Sequence, residues 1–245
     1  MLRLAAALAA ALTVAAPATA APCQHRDFDG SGFTVCTFDA AQDELRLDWT
    51  DRHGKALRGF DRLARAFGPD AGRVLFGMNA GMFEEDGKPL GLYVENGVER
   101  RPINTRDASG NFYLKPNGVF LQTAGGKVAV VETFAFELRS DRPVLATQSG
   151  PLLVSDGKFN PQISADGPSR NIRNGVGVRD PHTAFFVISD EPVSFGRLAR
   201  LFRDELHCPD ALYFDGTISS AWIPSQGRMD VSRPLGPMIT VLRRE

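Results

Sequence analysis

Histidine is scarce in this sequence: four occur, His25, His53, His182 and His207, each standing alone. A histidine-rich metal centre is therefore not expected. The chain has no Gly-x-Ser-x-Gly elbow, no phosphate loop ending in Gly-Lys-Ser/Thr, no His-Glu-x-x-His and no Cys-x-x-Cys. Those absences remove the common serine-hydrolase, P-loop, zincin and dithiol chemistries, and leave carboxylates and arginines to carry any catalysis. Neither charge sign dominates, with 28 Lys+Arg against 29 Asp+Glu, and no basic stripe stands out. Nucleic acid is not an expected partner. No segment beyond the N-terminal leader is long and apolar enough to span a bilayer, and no low-complexity linker divides the chain. Residues 22–245 read as one domain, large enough at 43% hydrophobic composition to bury a core.

The leader itself, residues 1–21, carries Arg3, then an apolar Leu/Ala/Val run, and closes on Ala18-Thr19-Ala20. This is the pattern of a secretory signal peptide, so a periplasmic or secreted protein is expected. Removing Arg3 with it leaves 27 basic against 29 acidic residues. All three cysteines lie in the exported part, where disulfides form. Cys23 and Cys36 flank the turn Asp29-Gly30-Ser31-Gly32 and are expected to pair; Cys208, beside Leu206 and Leu212, is expected to be a buried free thiol.

Alternation predicts an opening hairpin from 33–38 and 44–49. Phe60, Leu63, Ala64 and Phe67 fall at helical spacing before Gly68-Pro69, and Phe195, Leu198, Leu201, Phe202 and Leu206 mark a second helix over 195–206. Apolar runs predict strands at 74–78, 91–94, 112–114, 118–122, 127–131, 146–148, 152–155, 175–178, 184–189 and 212–214. Strands in excess of helices, with the helices set between them, point to the α+β class: one large mixed β-sheet with a few flanking helices.

Four Gly/Asn/Ser-rich stretches abut those apolar runs: Asn79-Ala80-Gly81-Met82-Phe83, Gln148-Ser149-Gly150-Pro151, Arg173-Asn174-Gly175-Val176-Gly177 and Asp215-Gly216-Thr217-Ile218-Ser219-Ser220. Polar loops on a rigid scaffold are where binding usually lies, and the layout suggests one composite pocket. At the end of an apolar strand Asp215 is either a partly desolvated base or nucleophile or a turn cap bonded to the backbone of Thr217 or Ile218. Ser219 and Ser220 either orient that carboxylate or form an ordinary polar loop. Arg170 and Arg173 either hold a phosphate or carboxylate or belong to a solvated loop. The amides of Asn79, Gln148 and Asn174 suit sugar hydroxyls and acetamido groups, or local turn bonds. Glu84, Glu85 and Asp86 crowd a Gly-containing loop, and Glu95 is a further carboxylate.

Together the four stretches resemble the phosphodiester glycosidase domain, the family of the lysosomal uncovering enzyme that removes N-acetylglucosamine from a phosphodiester-linked mannose, with a bacterial branch associated with exopolysaccharide biosynthesis. The resemblance spans about residues 74–241 with block order preserved. Asn79-Ala80-Gly81-Met82-Phe83 is similar to the family's Asn-Gly-Gly-Phe-Phe, and Gln148-Ser149-Gly150-Pro151 to its Gln-Ser-Gly-Pro. Arg173 stands where the family has the arginine of Arg-Thr-Ala-Ile-Gly, while Asn174 departs. The final Asp-Gly-Gly-Gly-Ser-Ser keeps Asp215, Gly216, Ser219 and Ser220 but loses two glycines to Thr217 and Ile218, which restricts the loop backbone. The resemblance implies hydrolysis of a sugar-1-phosphodiester at the anomeric C–O bond. In that scheme Asp215 and Arg173 are catalytic. Asn79, Gly81, Phe83, Gln148, Ser149, Gly150, Arg170, Asn174, Gly216, Ser219 and Ser220 line the substrate. No cofactor is expected; a divalent metal is left open, as is the oligomeric state. Two other readings stand beside this one: a non-catalytic saccharide-binding protein, and a metal-dependent phosphodiesterase with Asp215 and Glu84 or Asp86 as ligands.

Overall fold

The computed structural model describes residues 21–231 and 233–245; the expected signal peptide, but for Ala21, lies outside them. The α+β class holds. Where one large mixed sheet was expected, however, the strands are divided among three sheets and every ladder is antiparallel. The first sheet has seven strands in the order Cys23–Phe28, Ser31–Asp39, Thr183–Ser189, Asn174–Asp180, Asp210–Asp215, Leu152–Ser155 and Lys158–Phe159. The second runs Arg228–Met229, Ala221–Ile223, Val74–Asn79, Met238–Arg243 and Asp43–Asp48, and the third Val98–Arg101, Tyr93–Glu95, Pro143–Ser149, Gly118–Thr123 and Val128–Glu132.

One core explains the three-way division. Phe38, Phe186 and Phe214 from the first sheet, Phe76, Ile223 and Val241 from the second, and Tyr93, Phe120 and Leu145 from the third share a single buried cluster. Phe186 stands 5.6 Å, ring centre to ring centre, from both Phe76 and Phe120, one aromatic from each other sheet. The same demand corrects the expected opening hairpin. Strand Ser31–Asp39 pairs with Cys23–Phe28 and Thr183–Ser189, whereas Asp43–Asp48 crosses to the second sheet and pairs with Met238–Arg243. Asp39 N–H donates to Asp43 Oδ2 at 2.9 Å, and that turn lets Phe38, Leu45 and Leu47 reach the common core from two sheets. The Cys23–Cys36 disulfide is present across the paired positions of the first hairpin.

Helices cover the outer faces, the short Thr133–Glu137 packing Phe136 on the third sheet. Helix Phe60–Phe67 lays Phe60 and Leu63 on Trp222, Met238 and Leu242 of the second sheet and stops at Gly68, whose φ of 57° suits glycine. Helix Phe195–Arg200 is capped by Ser194 Oγ, which accepts from Arg197 N–H. It then widens into a π-turn over Leu201–Glu205. Its Leu198, Leu201 and Phe202 pack on Val187, Ala211 and Tyr213. The expected strand over 112–114 is instead a single 3-10 turn, Asn111–Tyr113, entered from Gly110 at φ 107° and followed by Pro116, which has no N–H for a ladder. Among the described residues no helix is long and apolar enough to cross a membrane.

Candidate active site

Strand Asp210–Asp215 alternates its side chains, so Phe214 enters the central core while Tyr213 and Asp215 face the other side. Asp215 ends the strand at 8% exposure. Its Oδ1 accepts three backbone N–H bonds, from Gly216 (2.6 Å), Thr217 (2.6 Å) and Ile218 (3.2 Å). The turn-capping alternative is thus realised by one oxygen, while Oδ2 accepts no hydrogen bond among the described residues. Burial pushes the Asp215 carboxyl above the usual carboxylate range. The three N–H groups and the nearby Arg173 charge pull the other way without cancelling the shift.

Asparagines join this strand end to the second sheet. Asn79, last in Val74–Asn79, accepts Ser220 N–H at Oδ1 (2.9 Å) and accepts Asn174 Nδ2 at its carbonyl (2.8 Å). Asn174 sits opposite Asp215 in the ladder and takes Ser219 Oγ at Oδ1 (3.2 Å); Ser219 Oγ also lies 2.9 Å from the Asp215 carbonyl. The structure therefore brings Asn79, Asn174, Asp215, Gly216, Ser219 and Ser220 into one hydrogen-bonded knot. Asn79 Nδ2 is the exception inside it: fully buried and without a partner, a donor that native interiors rarely leave unmatched.

Arg173 lies beneath the knot, with no exposure. It donates from Nε to Val193 O (2.8 Å), from NH1 to Tyr213 OH (3.0 Å), and from NH2 to Ser169 O (3.0 Å) and Oγ (3.1 Å). Its guanidinium lies 3.6 Å from the centre of the Phe195 ring. Four of its five N–H groups have protein partners, and no ion pair with Asp215 forms among the described residues. Arg170 is exposed and pairs with Asp166 at 2.8 Å. Gln148 uses all four of its amide bonds internally, accepting Leu92 and Asn104 N–H and donating to Asn104 O and Thr133 Oγ1. Ser149 Oγ donates to Phe214 O (3.2 Å). A Cβ on Gly150 would meet Phe112 O at 2.6 Å, and Gly81, at φ 101°, lies against Thr147 and Gln148. Phe83 is half-buried under Arg58 and against Gly236. The first sheet and the Asn79 strand end thus make the knot, while the Gln148 block underpins it.

Sequence reasoning missed Tyr213, Ser169 and Phe195, which seat Arg173, and Asp230, which accepts Ala221 N–H at the far end of the loop. Tyr213 had a signal: it lies two residues before Asp215 on one strand and so shares its face. A cleft of about 650 Å³ opens beside the knot, lined by Ile172, Ser189, Asp190, Ser219, Arg228 and Asp230 among others. Glu84 pairs with Arg101 and Asp86 with Lys88, and Glu95 shares its surroundings with Tyr93 and Asp48. Among the described residues no group of three His, Cys, Asp or Glu side chains is placed to hold a metal ion.

A half-bonded carboxylate beside buried amides is a candidate site for general-base or nucleophilic chemistry. Residues 72–242 match the phosphodiester glycosidase family, and the chain belongs to that family. An uncharacterised Escherichia coli (strain K12) protein, YigE, is 34% identical over 208 residues, covering 85% of this chain and 81% of its own. The catalytic domain of zebrafish N-acetylglucosamine-1-phosphodiester alpha-N-acetylglucosaminidase, auto-inhibited by its pro-peptide, shares the fold with a TM-score of 0.59 at 13% identity, over 91% of this chain and 82% of that one. A putative exported protein of Burkholderia pseudomallei K96243 does so with a TM-score of 0.59 at 13% identity, over 86% and 74%.

Proposed function

We propose that the chain is an exported hydrolase of sugar-1-phosphodiesters, an N-acetylglucosamine-1-phosphodiester-like glycan, cut at the anomeric C–O bond to give free sugar and a phosphate monoester. The observation that carries this reading is Asp215 itself: Oδ1 is immobilised by three N–H groups, which aims Oδ2, and burial raises the carboxyl toward the range of a working base or nucleophile. A phosphate monoester has its second pKa near ~6 and leaves as a stable anion, so the leaving group needs little general-acid help and one carboxylate suffices. Ser219 lies on the cleft, and the unpartnered Asn79 Nδ2, buried beneath it, meets a sugar oxygen only if the Ser219–Ser220 segment moves aside. With four N–H groups engaged, Arg173 acts chiefly by its charge and by seating the loop; Arg170, at the surface, reaches a phosphate only by leaving Asp166. Gly81 packs on Gln148 next to Asn79, and Ser149 bonds Phe214 O next to Asp215, whereas Gly150 lies against Phe112 and Phe83 under Arg58.

The test is hydrolysis of an N-acetylglucosamine-1-phosphodiester in water enriched in heavy oxygen, by the mature chain and by Asp215→Asn. Label in the released sugar, with the variant slower by at least about 10²-fold, is the expected outcome. Label in the phosphate would move the reaction to P–O cleavage. Binding without turnover would make the protein a saccharide receptor, and full turnover by Asp215→Asn would remove that residue from its role.

A further inference from the structure

A second concavity, of about 560 Å³, lies between the turn after strand Asp43–Asp48 and helix Phe60–Phe67. Arg52, His53 and Lys55 line it from the turn, Arg62 and Arg65 from the helix, and Ala56, Leu57 and Ala66 form its apolar part. Arg62, Arg65 and Ala66 share one helix face, being three and four residues apart. The turn is rigid. Asp51 Oδ1 accepts the N–H groups of His53 and Lys55, both at 2.9 Å, and Asp51 N–H donates to Lys55 O at 2.8 Å. The one carboxylate in the lining is therefore turned onto its own backbone. Arg65 pairs with Asp61, whereas Arg52, Lys55 and Arg62 form no ion pair among the described residues. In a chain of net charge −1, the positive charges of Arg52, Lys55, Arg62 and Arg65 and a histidine line one hollow, against the single lining carboxylate of Asp51 and the Asp61 partner of Arg65. No stripe shows in the sequence because the hollow is assembled from two segments.

We propose that this hollow binds a phosphate group of the substrate polymer, one or more repeat units away from the bond that is cut, so that the natural substrate is a phosphodiester-linked glycan rather than a single sugar phosphodiester. This rests on the reading given under Proposed function. Clustered Arg and Lys side chains recognise phosphate oxygens by charge-assisted hydrogen bonds. No Phe, Tyr or Trp side chain lines the hollow, so it lacks the large aromatic platforms on which successive bases stack, which favours a glycan backbone over a nucleic acid. The hollow also shares structure with the Asp215 loop. Leu57 in its lining belongs to the same apolar cluster against which Ile218 packs.

The experiment uses the mature chain and Lys55→Glu/Arg62→Glu, two exposed positions outside the Asp215 knot, with tripolyphosphate as the probe in calorimetry and circular dichroism to verify the fold; Arg62→Ala serves if the double variant misfolds. Tripolyphosphate affinity is expected to fall at least about tenfold in the double variant and about threefold in Arg62→Ala, and to weaken steeply between low and about 0.5 M salt. KM for a phosphodiester-linked polysaccharide is expected to rise by a similar factor, with turnover of a small sugar-1-phosphodiester unchanged. Affinity indifferent to the substitutions overturns the site, as does an equal loss on the small substrate. An oligonucleotide that outcompetes the polysaccharide at equal phosphate concentration overturns the choice of ligand. Because tripolyphosphate binding is read without turnover, a chain that binds the probe but hydrolyses nothing keeps the phosphate site and refutes the hydrolase reading alone.

Discussion

Arg173→Met separates a structural cation from one held for substrate. The side chain of Met fills much of the aliphatic path but donates no hydrogen bond, so the buried Tyr213 OH loses its guanidinium donor and the buried Val193 O keeps only the longer bond from Asn171 N–H at 3.3 Å, while Ser169 at the surface turns to water. An orphaned buried polar group costs about 1–3 kcal/mol. The guanidinium 3.6 Å from the centre of the Phe195 ring contributes on the order of 2 kcal/mol more when desolvated. Against these stands the relief of no longer burying a cation, the same burial that holds the Arg173 pKa below its ordinary value. The balance is a loss of about 3–4 kcal/mol of a typical 5–15 kcal/mol stability. With a urea m-value near ~2 kcal/mol/M the unfolding midpoint falls by about 2 M. Arg173→Lys keeps the charge but neither the planar stack nor the fork of donors, and is expected to lose about half as much. Urea unfolding followed by circular dichroism reads all three proteins. A loss below about 1 kcal/mol for Arg173→Met would refute the reasoning and return the guanidinium to the role of a substrate clamp that the fold does not need.

Gly216→Ala places a Cβ 2.1 Å from Tyr213 OH and 3.1 Å from Arg173 NH1; overpacking of this kind costs about 1–3 kcal/mol, and displacement of the Asp215 loop should lower kcat with a smaller change in KM, measured by steady-state hydrolysis. Asp48 is raised by burial to about 7. A carboxyl protonated in the fold but ionised in the unfolded chain stabilises the unfolded state, so stability should fall by up to ~1.4 kcal/mol per pH unit from about pH 4 to about pH 7, and Asp48→Asn should flatten that slope in unfolding measured at pH 5, 6 and 7. The buried Cys208 thiol, pushed up to about 12 by desolvation, should not react with a disulfide titrant in the native protein and should give one equivalent after denaturation without reductant.

The legible part of this molecule is local. Apolar runs ending in Asn79 and Asp215 announced buried strands, and Gly68-Pro69 announced a helix end, because each rests on neighbours a few residues away. What escaped is set by pairing across the chain. The Asn79–Ser220 bond joins residues 141 apart, and nothing in the alternation of 33–38 or 44–49 says that they join different sheets; only the shared core around Phe186 does. Arg173 shows the same limit. A guanidinium beside amides in a polar stretch reads as a ligand for phosphate, and its burial becomes visible only once Tyr213, Phe195 and Val193 close over it.

The departure of the Asp215 loop from an all-glycine turn is explained by packing. Thr217 is exposed, but Ile218 packs against the cluster formed by Trp222 and Met238 of the second sheet with Leu57, Phe60 and Leu63 above them, while Asp215 belongs to the first sheet. A glycine turn would leave the three N–H groups that hold Oδ1 free to move; an isoleucine anchored on a second body fixes them at the cost of backbone freedom. The loop thereby ties together the two sheets whose ends also meet through Asn79 and Asn174. Ile218→Gly should for that reason loosen the carboxylate, lowering kcat more than it lowers stability, and Ile218→Val, which keeps most of the apolar contact, should restore both. Equal losses in the two variants would show that the contact with the second sheet does not position Asp215.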